Sequence, residues 1–208
     1  MKTGIFFDLD GTLWDAVESI TTSWNIKLKD LGYSLKLTPE QLQKEMGKLM
    51  EDIADSVFSE IKKPTRYDVL KQCMDYEMEY LKEHGGVLYP EVEITLKQLK
   101  ESYFLAVISN GQETYVKDFI EFFRFEKYFD DYEEAGRTGF SKDKNIELVA
   151  KRNHLERVFY VGDIEADMIA AEQSGATFIH AAYGFGTVPG DRLKIESFKD
   201  LPALLKNL

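Results

Sequence analysis

Near its N-terminus the chain runs Ile5-Phe6-Phe7 directly into Asp8-Leu9-Asp10-Gly11-Thr12. The apolar run predicts a buried strand, and the Asp-Gly pair predicts a sharp turn at its end. In α/β proteins such strand ends are where chemistry gathers. Two carboxylates placed there repel each other, and a divalent cation is the usual means of neutralising them. A solvated Asp-Gly turn is the plain alternative, and the rest of the chain has to decide between the two.

The residues that follow have a helical pattern. Leu13, Val17, Ile20, Trp24, Leu28 and Leu31 recur at three- and four-residue steps, and Gly32 ends the run. Thr38-Pro39-Glu40-Gln41 predicts a helix start, with Thr38 as N-cap and Pro39 at the first helical position. Leu42, Met46 and Leu49 continue it, and a short helix passes through Ile53 and Val57. Pro64 breaks the chain, and a longer helix carries Leu70, Met74, Met78 and Leu81 to a stop at His84-Gly85-Gly86. From about Trp14 to Gly85 the pattern is all-helical, with no strand.

Beyond Pro90 helices and strands alternate. Val92, Leu96 and Leu99 mark a helix, residues 103–108 a strand, and Val116, Phe119, Ile120 and Phe123 a helix. Ile146, Val149 and Ala150 mark the next helix, residues 158–161 a strand, and Met168 and Ala171 a helix. Residues 176–180 form a further strand and 201–205 a closing helix. Such alternation implies a parallel sheet covered on both faces. The expected fold is therefore α/β: a doubly wound, Rossmann-like core over residues 1–13 and 87–208, with a helical cap over 14–86 inserted after the first strand. A chain of 208 residues can bury such a core.

Charge and composition narrow the partners. A net charge of −11 and a pI near 4.9 argue against a polyanionic partner, since a nucleic-acid binder normally carries a basic face. Small anions would then need a local positive site made by metal, lysine or backbone amides. No apolar run is long enough to span a bilayer, and no leader is visible before the first strand. The lone Cys73 cannot form an intramolecular disulfide, which fits a reducing compartment; it reads as a small buried hydrophobe in a helix. The expectation is a cytoplasmic protein, monomeric or homodimeric, without nucleic-acid or membrane partners.

Three strands end in polar motifs: Asp8-Leu9-Asp10-Gly11-Thr12, then Ser109-Asn110-Gly111, then Gly162-Asp163-Ile164-Glu165-Ala166-Asp167. A parallel sheet brings these carboxyl ends to one edge, a convergence that a chance Asp-Gly turn would lack. Ser141-Lys142-Asp143-Lys144-Asn145 lies ahead of the helix that leads to the third strand. In this order the motifs resemble those of the haloacid dehalogenase superfamily of phosphotransferases, most closely the phosphoglycolate phosphatase-like subfamily with a helical cap after the first strand. The resemblance covers essentially the whole chain.

It implies a phosphatase acting on a small phosphorylated metabolite, and the chemistry of the residues accords with that. Asp8 would attack phosphorus and form an aspartyl-phosphate. Asp10 would protonate the leaving alcohol, then activate water, with its backbone carbonyl facing the metal. Asp8 and Asp163 would hold Mg2+, and Asp167 would do so directly or through water. Mg2+ suits hard oxygen ligands and a site with few protein donors. Ser109, with the amide that follows it in Asn110-Gly111, would bind phosphate oxygens. Lys142 would offset their charge. Thr12 would help shape the turn and hydrogen-bond Asp10. The family's lysine is often followed by proline, whereas Asp143 follows here; Lys142 is favoured over Lys144 because it stands ahead of the helix start. Retention of Asp10 disfavours dehalogenation, because the resemblance implies that dehalogenases lack the second acid. A phosphomutase and a non-catalytic phosphate-binding protein are the competing functions. The cap is expected to hinge near its two junctions with the core and to govern access.

Other residues have plainer readings. Asp15 and Glu18 read as charges at a helix N-terminus. Trp14 suits either the substrate entrance or packing at the hinge. Phe119, Phe122, Phe123, Phe125, Tyr128 and Phe129 read as packing, and Tyr183-Gly184-Phe185-Gly186 as a glycine-supported loop. His84, His154 and His180 lack metal-ligand spacing.

Overall fold

A computed structural model of the chain describes residues 2–48 and 50–208. Leu49, expected to extend the helix after Thr38, lies outside the described residues. The chain divides into two compact units, Met1–Asp15 with Leu88–Leu208, and Ala16–Val87.

The first unit is built on a six-stranded sheet. Its strands are β1 (Thr3–Phe7), β4 (Phe104–Ser109), β5 (Asp131–Glu134), β6 (Arg157–Gly162), β7 (Thr177–Ala181) and β8 (Lys194–Ile195), in the order β5-β4-β1-β6-β7-β8. Neighbouring strands pair in parallel throughout. β1 lies between β4 and β6, with Phe7 in register with Val107 on one side and Val161 on the other. The ends carrying Asp8, Ser109 and Asp163 are thus neighbours by topology.

Ile5, Phe6 and Phe7 are fully buried, as a strand covered on both faces requires. Side chains alternate between the faces. Phe6 joins Ile108, Tyr160, Ile146 and Val149 in one core cluster. Phe7 meets Phe129 and Phe198 in ring contacts at 6.4 and 5.6 Å. The helices of this unit are α5 (Val92–Lys100), α6 (Tyr115–Phe123), α7 (Ala135–Thr138), α8 (Lys142–Arg152), α9 (Glu165–Ser174) and α10 (Leu201–Leu205).

The second unit contains α1 (Val17–Asp30), α2 (Pro39–Gln43), α3 (Met50–Val57) and α4 (Thr65–His84). α1 packs along α4, where Trp24 stacks on Phe58 and its Nε1–H donates to Glu77 Oε2 at 2.6 Å. Thr38 forms the expected cap: the Gln41 N–H donates to its Oγ1, and the Gln41 side chain accepts from the Thr38 amide. Cys73 is buried in α4, and burial together with Glu77 pushes its thiol up to about 12.

Several expectations need correction. Leu13 belongs to the turn rather than the first helix, which starts at Val17. Asp15 lies in a two-residue strand, β2 (Trp14–Asp15), paired with β3 (Val87–Leu88), so the helical block is bordered by strands. The helix after Thr38 ends at Gln43, before Met46. β5, α7 and β8 have no apolar signature. β5 reads Asp-Tyr-Glu-Glu, and its charges are met by Arg152, which donates to Asp131 and Glu133, and by Arg137, which donates to Glu133. Truncating β1 at its centre should be costly: Phe6→Ala is expected to destabilise the protein by about 3–5 kcal/mol, read from denaturant unfolding.

Candidate active site

The carboxyl ends of the three central strands each deliver an acid or a hydroxyl. Asp8 follows β1, and its amide donates to the Val161 carbonyl at 2.8 Å, which extends the strand pairing to the carboxyl edge of the sheet. Ser109 ends β4, and Asp163 follows β6. Asp167 lies in the first turn of α9, where its Oδ2 accepts the amides of Asp163 and Ile164 at 3.1 and 3.3 Å. A carboxylate at a helix start satisfies otherwise unpaired N–H groups.

Lys142 is the buried cation of this site. Its Nζ lies 2.8 Å from Asp8 Oδ1 and 2.6 Å from Asp167 Oδ1. Lys144 is exposed and pairs with Glu147, so the structure brings Lys142 and not Lys144 to the strand ends. Lys142 is the first residue of α8 rather than ahead of it, with Ser141 at the N-cap position. Burial opposes its charge, but Asp167 and Asp8 outweigh that and hold the ammonium well above the ordinary lysine value.

One lysine does not balance the acids. Asp8, Asp163 and Asp167 are all buried, and one oxygen from each lies within 4.8 Å of the others. Burial and the Asp167 charge push Asp8 up to about 6 against the pull of Lys142. Burial, Asp8 and Asp167 push Asp163 up to about 8. A cluster of hard oxygen donors with uncompensated negative charge fits a divalent cation.

Asp10 has different surroundings. Its side chain stands outside the three-acid cluster. Trp14 Nε1–H and the Tyr115 hydroxyl both donate to Asp10 Oδ1, each at 3.0 Å. Burial and the neighbouring Asp8 push its carboxyl up to about 7, although both donors favour the ionised form. Trp14, which its sequence suits either to an entrance or to packing at the hinge, is 2% exposed and packed against the rings of Tyr115, Phe119 and Phe123.

Two of the predicted site residues make contacts that their sequence did not indicate. The Gly111 amide donates to Ser109 Oγ at 3.0 Å, leaving the serine hydroxyl hydrogen to donate elsewhere. Thr12 does not hydrogen-bond Asp10: its Oγ1 is buried without a partner among the described residues, and its carbonyl accepts the Tyr183 hydroxyl at 2.8 Å. Asn110 keeps its place beside Ser109 at the end of β4.

The Tyr183–Gly186 loop is a site element that sequence reasoning missed. The Phe185 amide donates to Asp163 Oδ2 at 2.8 Å. A Cβ at Gly184 would stand 2.3 Å from both Asp163 Cβ and the Gly11 carbonyl oxygen, and one at Gly11 would stand 2.1 Å from Asp163 Oδ2. The two glycines let turn and loop close on Asp163 from both sides; their occurrence after separate strands was the available signal.

A family model described as haloacid dehalogenase-like hydrolase matches residues 5–181. The chain belongs to this family and is therefore a hydrolase by class. It is 29% identical over 189 residues to a phosphoglycolate phosphatase of Aquifex aeolicus, covering 87% of this chain and 85% of that one. A phosphoglycolate phosphatase of Aliivibrio fischeri is 26% identical over 193 residues, covering 87% and 84%. A haloacid dehalogenase-like hydrolase of Streptococcus pneumoniae superposes with a TM-score of 0.84 over 98% of both chains at 22% identity, a likeness of fold.

Cation binding should appear in stability. Added Mg2+ at about 100 times its dissociation constant is expected to stabilise the protein by about 2.7 kcal/mol, seen as a rise in Tm. Asp163→Asn should lose most of that rise while being no less stable than the parent without metal, because it removes one of three repelling acids.

Proposed function

We propose that the chain is a Mg2+-dependent phosphatase that hydrolyses a small-molecule phosphate monoester through an aspartyl-phosphate on Asp8. The observation that carries this reading is the unlike treatment of two acids one residue apart. Asp8 is gripped by Lys142 within the cluster of acids. Asp10 is held apart by two neutral donors, while burial and the Asp8 charge raise its carboxyl to about 7. One is suited to act as a nucleophile and the other to carry a proton.

In the first step an Asp8 oxygen bonds to phosphorus as the ester P–O bond breaks. The electron pair leaves with the alcohol oxygen, which takes the proton of Asp10. In the second step water bonds to phosphorus and gives a proton to Asp10, and the phosphoaspartate bond breaks to restore the Asp8 carboxylate. The Ser109 hydroxyl donates to a phosphate oxygen, and Lys142 offsets phosphate charge. Asp8 and Asp163 would hold Mg2+, with Asp167, and it would supply charge neutralisation that lets an anionic nucleophile meet an anionic ester. Asp167 Oδ1 already faces Lys142 and its Oδ2 two amides, which favours contact through water.

The names of the curated relatives make phosphoglycolate the first substrate to try, and we place the protein in the cytoplasm, where an unpaired Cys73 is stable. The test is a magnesium-dependent assay over a panel of metabolite phosphates, following free phosphate and, for sugar phosphates, isomerised product. Asp8→Asn should abolish hydrolysis, and Asp10→Asn should lower kcat by about 10²–10⁴-fold on unactivated esters. Full activity in Asp8→Asn, or isomerised product without free phosphate, would sink the reading.

A further inference from the structure

We propose that Tyr115 and Trp14 are positioning residues that fix the carboxyl of Asp10 so that Oδ2 is the oxygen that carries the transferred proton. The inference rests on the proton-carrying role of Asp10 argued above. Both donors converge on Oδ1, each at 3.0 Å. A carboxyl oxygen has two acceptor positions, and here both are filled by N–H and O–H. A proton on the acid therefore belongs on Oδ2, and the carboxyl cannot turn over without breaking two hydrogen bonds. With neither donor, χ2 is soft and the two oxygens exchange.

Both donors are themselves held. The Trp14 indole sits edge-on to Phe119 at 5.1 Å and to Phe123 at 6.1 Å, so its N–H direction is set by packing. Tyr115 is 5% exposed and opens α6. A Cβ at Gly111 would lie 2.5 Å from its ring, so the glycine of the Ser109-Asn110-Gly111 motif is also the space that Tyr115 occupies. Thr114 stands at φ 75°, a strained value for a β-branched residue. The buried Glu134 secures that turn by accepting the amides of Thr114 and Val116 at 2.7 and 2.9 Å. The end of β5 thus locks the first turn of α6, which aims the tyrosine at Asp10. Aromatics used only to fill a core would not need to meet on one oxygen.

Leaving-group dependence tests the idea. An alkyl phosphate releases an alkoxide that must be protonated, whereas p-nitrophenyl phosphate releases a stable phenolate that need not be. Tyr115→Phe is expected to lower kcat on the alkyl ester roughly tenfold with KM nearly unchanged, and to lower kcat on p-nitrophenyl phosphate by no more than about twofold. Trp14→Phe should do the same, and the double variant should approach Asp10→Asn. Phe178→Leu loosens the core on β7, an element that carries neither donor, so it should lower Tm without separating the two esters. Equal losses on both esters in Tyr115→Phe, or none, would overturn the proposal. If Asp10→Asn itself treats the esters alike, the proton-carrier reading falls and takes this one with it; a selective Asp10→Asn beside an unselective Tyr115→Phe condemns the positioning role alone.

Discussion

The structure depends on one buried ammonium placed among too many buried acids. Lys142 reaches Asp8 and Asp167 together, and Asp163 completes the cluster with no lysine of its own. Buried charge is tolerated only when paired and hydrogen-bonded. The fold supplies that pairing from separate elements: β1 brings Asp8, β6 and α9 bring Asp163 and Asp167, and α8 brings Lys142. Central placement of β1 lets all of them meet at one sheet edge. What remains unbalanced is negative charge, and that is a property a cation can use. The same cluster therefore explains why the edge is costly to fold and why it can bind metal.

Hydrogen bonds divide the work among oxygens that are chemically alike. Asp167 spends Oδ2 on the amides at the start of α9 and Oδ1 on Lys142. Asp163 spends Oδ2 on the Phe185 amide. Asp8 spends Oδ1 on Lys142, and Asp10 spends Oδ1 on two aromatic donors. Four aspartates thus have four surroundings, set by the fold rather than by any difference in the side chain.

Much of this was legible in the residues. The unbroken apolar run 5–7 announced a strand buried on both faces, and Thr38-Pro39-Glu40-Gln41 announced its helix through a cap whose donors and acceptors are local. The acids of the strand ends were legible because strand, turn and charge follow one another in the chain. β5 was not, because its stability comes from Arg137 and Arg152 rather than from an apolar pattern. The roles of Trp14 and Tyr115 were hidden for a related reason. Trp14 suits an entrance or a hinge equally and Tyr115 carries no signal of its own in the sequence; only the placement of α6 against the turn after β1 shows that each presents a donor. The Tyr183–Gly186 loop likewise looked like ordinary glycine chemistry, since the Asp163 it approaches lies 22 residues before Phe185, just past the end of another strand.

These hidden contacts share one logic. The acids of the cluster are placed by backbone, at strand ends that the sheet fixes. The groups that orient them are placed by packing, and so depend on residues that carry no charge: Gly111 makes room for the Tyr115 ring, Gly184 and Gly11 make room around Asp163, and Phe119 and Phe123 hold the Trp14 indole. A close-packed interior transmits small changes in volume. A methyl group added at Gly111 therefore acts on Asp10 through the Tyr115 ring, without meeting the acid itself. Steric room at the sheet edge accordingly shapes the site alongside the carboxylates, because it lets Tyr115 and the Phe185 amide engage one oxygen each of Asp10 and Asp163.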